Sequence, residues 1–296
     1  MTQSRRQTLH GVLLLLLGIV GVSTSSLWVR MSGDSAGELA FRRMLLVLPA
    51  IALWARWVRA PLLVPRRTAL VTAVSAVLLG IHFWAWNASL ARLPVATSLL
   101  LVNVHPVMVF VIEWGARRVR PRVPAVVGLL ASICGMALLA WRSGGDAAGE
   151  AHVVGVLLAL LGAAAIAGYL IVGRELRHSL PVPTYLFAVY GGAALFLGAC
   201  LCFEEGASWL PLTAWEWTIA LLLALLPTLL GHTPLNAALR KLPATVVSTA
   251  FLGEVVVASL LVWMVRGEVL PDRFWPGALL VVAGIVAVIH GVRARR

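Results

Sequence analysis

Ten runs of about twenty mostly apolar residues follow one another along this chain, near 9–29, 39–58, 68–91, 95–114, 123–141, 153–173, 183–203, 216–236, 243–265 and 273–291. Each is long enough to cross a hydrocarbon layer about 30 Å thick. Lipid offers the backbone no hydrogen-bond partners, so runs of this kind must satisfy their peptide groups internally, as helices. With 60% hydrophobic and 12% charged residues, against about 25% charged in soluble domains, little remains from which to build a water-facing surface. The expectation is an all-α membrane protein with ten transmembrane helices. Cys134, Cys200 and Cys202 fall inside apolar runs and read as small core residues, with neither the spacing of a metal site nor that of a disulfide framework. Ser4-Arg5-Arg6 before the first run resembles a twin-arginine or secretory signal.

That first run is repeated, however, and is therefore read as a retained helix. Gly11-Val-Leu-Leu-Leu-Leu-Leu-Gly18 returns as Gly155-Val-Leu-Leu-Ala-Leu-Leu-Gly162, 144 residues later. Farther along the offset is 149: Asn87-Ala88 returns as Asn236-Ala237, Leu93-Pro94 as Leu242-Pro243, Trp114 as Trp263, and Gly128/Gly135 as Gly277/Gly284. Two weakly similar apolar halves are a sign of an internally repeated membrane architecture. The division falls at residues 1–146 and 147–296, five helices to each half.

Net charge is +12, but the arginines sit in short loops between spans rather than along one face or tail, which argues against nucleic acid as a partner. Placing the N-terminus in the cytoplasm puts 17 of the 24 Lys and Arg residues on the inner side and leaves seven outside, with nine of the twelve acids. The positive-inside rule therefore places both termini in the cytoplasm. Five helices per half then make the second copy enter the membrane inverted. An inverted repeat predicts a binding site between the halves near the midplane, and movement of a small-molecule solute by alternating access.

His82-Phe-Trp-Ala-Trp-Asn87-Ala-Ser-Leu90, then Ser98-Leu-Leu-Leu-Val-Asn-Val-His105-Pro106, then Asn236, Leu242-Pro243-Ala244, Gly253-Glu254, Gly267-Glu268 and Pro276-Gly277-Ala278-Leu279 stand in a distinctive order. In these stretches the chain resembles the EamA branch of the drug/metabolite transporter superfamily, over essentially its full length. The resemblance implies ten helices in a five-plus-five inverted arrangement, a central cavity, and movement of small organic solutes, often export. Arg42, following Phe41, fits a recurring position of that family. The first half departs from it, with Gly115-Ala-Arg-Arg118 where Arg266-Gly267-Glu268 stands in the second.

Ionisable groups inside spans cost about 2.5–3.5 kcal/mol on insertion scales and are functional candidates by default. Glu254 lies near the centre of the ninth run, and the 149-residue offset sets His105 at the corresponding place in the fourth. Counting from the hairpins at 93–94 and 242–243 brings His82 and His232 to a similar depth, roughly 17 Å from the turn at 1.5 Å per residue. A carboxyl group at that depth beside other titratable groups is suited to proton exchange coupled to solute movement, with His105 as a relay or with Pro106 freeing a carbonyl a turn earlier. Glu254 can equally lock two helices together. Trp84, Trp86, Tyr169 and Tyr190 are candidates to line a cavity or to fill helix interfaces. Asn87 and Asn236 are expected to bond between helices or to cap. Arg42 either snorkels or closes a gate by pairing with an acid. Gly128, Gly135, Gly277 and Gly284, spaced by seven, mark a packing seam that is also a candidate contact between two copies of the chain. Trp57, Trp141 and Trp275 are among those near span ends, where an interfacial belt would lie.

The reading is a secondary transporter, an exporter of a small metabolite or amino-acid-like solute across a bacterial inner membrane, with proton coupling, no cofactor, no metal and no enzymatic activity. No Walker-type Gly-x-x-x-x-Gly-Lys-Ser/Thr is present. The alternative is an intramembrane enzyme acting on a lipid or polyprenyl substrate.

Overall fold

The computed structural model describes residues 3–117, 122–140, 150–267, 270 and 272–293. Trp141, Glu268, Arg118 and the junction at 146/147 lie outside the described residues. All regular structure in the described residues is helical, and eight helices are long and apolar enough to cross a membrane.

The chain opens with α1 (Gln3–Ser23) and α2 (Ser25–Met31), which together form one apolar column. Next come α3 (Ala36–Leu46) and α4 (Leu48–Trp57), then α5 (Arg66–Leu90), α6 (Val95–Val102), α7 (His105–Arg117) and α8 (Val123–Ala140). The second half holds α9 (Glu150–Ser179), α10 (Val182–Leu201) and α11 (Ala214–Leu223), which passes through a π-helical stretch, Ala224–His232, into α12 (Thr233–Ala238). It closes with α13 (Ala244–Ala250), α14 (Gly253–Arg266) and α15 (Phe274–Arg293). The expected second run is thus divided between α3 and α4, and the fifth is a shorter apolar helix, Val123–Leu139.

Local chemistry sets these boundaries. Ser35 and Glu38 form a reciprocal capping box at the start of α3. Pro94, Pro181 and Pro243 precede α6, α10 and α13 as N-caps, where a missing N–H costs no helical bond. Two prolines act differently because they stand where a helix would otherwise run on. Pro106 has no N–H to give Val102, and the chain breaks over Asn103–Val104, the freed Val102 carbonyl accepting from His105 Nδ1 at 3.1 Å. Pro227 has none for Leu223, whose carbonyl accepts from the Thr228 hydroxyl at 2.8 Å inside the π stretch. The break between α13 and α14, at Phe251–Leu252, stands 148 residues after the break between α6 and α7, one residue short of the sequence offset of the repeat.

Close backbone approach holds the helices together. A Cβ on Gly21 would lie 2.6 Å from the Cα of Gly231, so α1 runs directly against the π stretch. α9 packs along α5 in the same way that α1 packs along the π stretch and α12. α8 and α15 meet on the glycine seam: Gly128 faces the Gly284 carbonyl, Gly135 faces the Gly277 carbonyl, and the Ser132 hydroxyl donates to Val281 O at 3.2 Å. The seam is filled within one chain, which leaves those glycines no face for a second copy.

An ionic cluster ties each end of the bundle. At one end Arg42 meets Asp34 at 2.9 Å, Glu38 at 3.2 Å and Glu216 at 3.3 Å, and donates to the carbonyls of Ser208 and Leu210. Arg42 is 1% exposed, so it is buried among acids rather than snorkelling. At the other end Arg174 pairs with Glu113 at 2.7 Å, and the Thr245 hydroxyl donates to the second oxygen of the same carboxylate. Leu13, Leu70, Leu195 and Leu279 are more than half exposed on the outside of the bundle, as a lipid-facing surface requires, and Trp57 and Trp275 are exposed at helix ends. Cys134, Cys200 and Cys202 lie on this outer surface. They are not core residues, because the helix faces that carry them point away from their neighbours.

Candidate functional site

Between the helices lies a small polar cavity. Its walls come from α1, α2, α5, α6, α7, α9, the π stretch and the α13–α14 break, so residues of both halves meet there. Val22, Val102 and Ile166 supply apolar wall; Phe83, Trp86 and Phe251 supply aromatic wall; Ser25, Asn103, His82, His105, His232 and Glu254 supply the polar groups.

The two helix breaks set the polar groups in place. Asn103 is in the first break and His105 just beyond it; Phe251 is in the second and Glu254 just beyond it. The rings form a continuous run. His82 is 5.0 Å from Phe83 between centroids, Phe83 5.1 Å from His232, His232 6.0 Å from Phe251, and Phe251 5.4 Å from His105. Two of these, Phe83–His232 and Phe251–His105, are edge contacts, which hold ring orientations as well as burying area. His82 Nδ1 is fixed on the Gly162 carbonyl at 2.9 Å. Several polar atoms stay without partners among the described residues: His105 Nε2, Asn103 Nδ2 and Trp86 Nε1 are buried and make no hydrogen bond. The Glu254 residue is 8% exposed, and no described residue hydrogen-bonds its carboxylate; its main chain is engaged, the N–H donating to Phe251 O at 2.8 Å and the carbonyl accepting from Ser23 Oγ at 3.3 Å.

Behind the Phe83 ring sits Arg43, fully buried at 0% exposure, its guanidinium 4.0 Å from the ring centroid. It donates to Thr228 Oγ1 at 3.1 Å and to Ser25 Oγ at 3.3 Å, and Nη2 has no partner among the described residues. Arg43 lies within electrostatic reach of Glu254, His82 and His232, although no ion pair within 4.0 Å joins it to Glu254. Buried polar groups are normally satisfied, so a cluster left open in this way is a candidate functional site.

The amino-acid sequence carries the motif of one family twice. The EamA-like transporter family matches residues 9–141 and again 153–290. The chain belongs to the EamA-like transporter family. It is an integral membrane protein of transmembrane transport. An uncharacterized transporter of Bacillus subtilis (strain 168), YwfM, is 24% identical over 265 residues, covering 89% of this chain and 88% of that protein. A chain in a solved crystal structure superposes with a TM-score of 0.77 over 97% of this chain and 99% of its own length at 18% identity, a likeness of fold.

Within this EamA-like chain, the structure brings His82, His105, His232, Glu254 and Trp86 to one cavity. Pro106 is beside it, creating the break. Trp84 is 38% exposed on the outer side of α5 and does not line it. Tyr169 is buried but engaged elsewhere, donating to Asn236 Oδ1 at 2.6 Å, and Tyr190 is packed in the core; neither is a lining residue. Successive residues of a helix point about 100° apart, so Trp84 and Trp86 cannot share a wall. Asn87 donates to Ala36 O, a bond between helices, whereas Asn236 donates to His232 O one turn back and accepts from Tyr169 on another helix.

Arg43 is not among the residues the sequence singles out, nor are Asn103, Phe83 and the Glu113–Arg174 pair. A signal for Arg43 existed. Arg42 has Glu38 one turn away, whereas the positions one turn from Arg43 are Leu39, Ala40, Leu46 and Val47. An arginine well inside an apolar run with no local acid must find its partners on other helices.

Proposed function

We propose that this EamA-like protein is a secondary active transporter that moves a small organic solute by alternating access, exporting it across a bacterial inner membrane in exchange for protons. The observation that carries the reading is Glu254: a carboxyl group without a hydrogen-bond partner among the described residues, facing a cavity built from both halves. A group in that position can hold a proton or a solute, but not both at once, which is the minimal requirement for exchange.

The transport cycle follows from ten helices arranged as two inverted five-helix units, 1–146 and 147–296. Supporting this are helix breaks at corresponding places in α6–α7 and α13–α14. The glycine seam adds a second argument. Gly128 meets the copy of Gly135, and Gly135 meets the copy of Gly128, the reciprocal pattern that a two-fold relation between units produces. Both termini are cytoplasmic on this reading, by the distribution of Arg and Lys. Rocking of one unit against the other opens the cavity to each side in turn.

The test is proton movement. Reconstituted protein carrying a pH-sensitive dye inside sealed proteoliposomes is challenged with mixtures of small metabolites. Wild-type protein should give solute-dependent proton flux, and Glu254→Gln should remove it while leaving the fold intact. Undiminished flux in Glu254→Gln would refute the coupling role.

A further inference from the structure

The carbonyls that hold two cavity histidines also decide which of their nitrogens faces the solute. A carbonyl oxygen only accepts, so His82 Nδ1, at 2.9 Å from Gly162 O, and His105 Nδ1, at 3.1 Å from Val102 O, must each be the protonated nitrogen. In the neutral ring Nε2 is then a bare acceptor. For His105 that atom is buried, lines the cavity and has no partner among the described residues. The lock on His105 exists because Pro106 cannot use the Val102 carbonyl.

We propose that His82 and His105 are specificity-determining acceptors, and that the site takes a solute through a primary ammonium group. This rests on the transport reading for the cavity and adds the chemistry of its cargo. His82, His105 and Glu254 line one cavity and offer two imidazole Nε2 atoms and a carboxylate as acceptors, and a primary ammonium carries three N–H donors. Among the described lining residues Glu254 has the one formal charge; the Arg43 guanidinium is held on Phe83 and is not itself on the wall. The rings of Trp86 and Phe251 suit the apolar body of such a solute and favour a cation over their faces. A permethylated ammonium satisfies the rings but leaves these acceptors unpaired, and a site built to bond N–H groups rejects an analogue that lacks them.

The experiment is titration calorimetry of purified protein in detergent with 2-phenylethylammonium and with its N,N,N-trimethyl derivative. Wild type should bind the primary ammonium at least ten times more tightly. His105→Phe keeps the ring contact with Phe251 and removes the acceptor; the preference should fall at least threefold, through weaker binding of the primary ammonium and no loss of trimethyl binding. His82→Phe should reduce the preference independently. Equal or tighter binding of the trimethyl compound to wild type overturns the proposal whatever the variants do, as does absence of binding by both. A preference retained in both variants overturns the role of the histidines. Because no membrane or gradient is involved, a protein that shows the preference yet moves no protons in liposomes loses the transport reading alone. A protein that transports without the preference loses only this inference.

Discussion

Pro106 does its work through an absence. One missing N–H frees the Val102 carbonyl, and that carbonyl fixes His105. Arg43 and Glu254 illustrate the cost of the same cavity: a guanidinium buried behind its wall keeps an unused nitrogen, and a buried carboxyl group on the wall has no hydrogen bond from any described residue, the two standing beyond ion-pair distance. Removing either leaves the other as a lone buried charge. Arg43→Met should therefore lower the melting temperature, and adding Glu254→Gln should recover some of the loss, with a coupling of about 1–3 kcal/mol in a double-mutant cycle. Additive losses would mean that the two groups do not sense each other. Much of this site was legible from residue counting alone. Hairpin arithmetic set His82, His105, His232 and Glu254 at one depth, and they share one cavity. What counting does not give is azimuth: Trp84 and Trp86 have the same depth but opposite surroundings.

At the scale of the element, glycine spacing sets how near two helices come. Gly284 is the tightest point of the α8–α15 seam, where an added Cβ would run into Ser132 Oγ and the Gly128 carbonyl. Gly284→Ala should cost about 1–3 kcal/mol of stability by overpacking. Gly115 in α7 has nothing within 4 Å of the same position, so Gly115→Ala should be stabilising by up to about 1 kcal/mol through helix propensity. Thermal denaturation of the two variants reads the contrast, and equal shifts would dissolve it. The seven-residue spacing announced the seam, but not that each half supplies the other's partner. Spacing describes one face, and which face it meets is decided by the packing of all the other helices. The breaks were harder to read. Pro106 signalled the first, whereas the second has no proline within it, only Gly253 at its edge.

Across the whole molecule, two ionic clusters hold opposite ends: Arg42 with Asp34, Glu38 and Glu216, and Glu113 with Arg174 and Thr245. Both join residues from the two halves, so a rocking motion must open the cluster at one end while the cluster at the other stays closed. Glu113→Gln should favour opening at its own end and Arg42→Gln at the opposite end, each by weakening contacts that only the closed end makes. In sealed vesicles of known orientation, a cysteine in place of Ser25, in a background lacking Cys134, Cys200 and Cys202, should be labelled faster from opposite sides in the two variants. A common direction of change would deny these clusters a gating role. The fold class was plain from the apolar runs. The clusters were not, since Glu113 and Arg174 look like ordinary charged residues near span ends until the fold brings them together.

The same reporter tests the central claim most directly. Ser25 lines the cavity, and a membrane-impermeant thiol reagent applied separately to each face of sealed vesicles reads where that cavity opens. Alternating access predicts that Ser25→Cys is modified from both faces, and that a tight cavity ligand slows both reactions together. Modification from one face only, at any reagent concentration, would contradict the account.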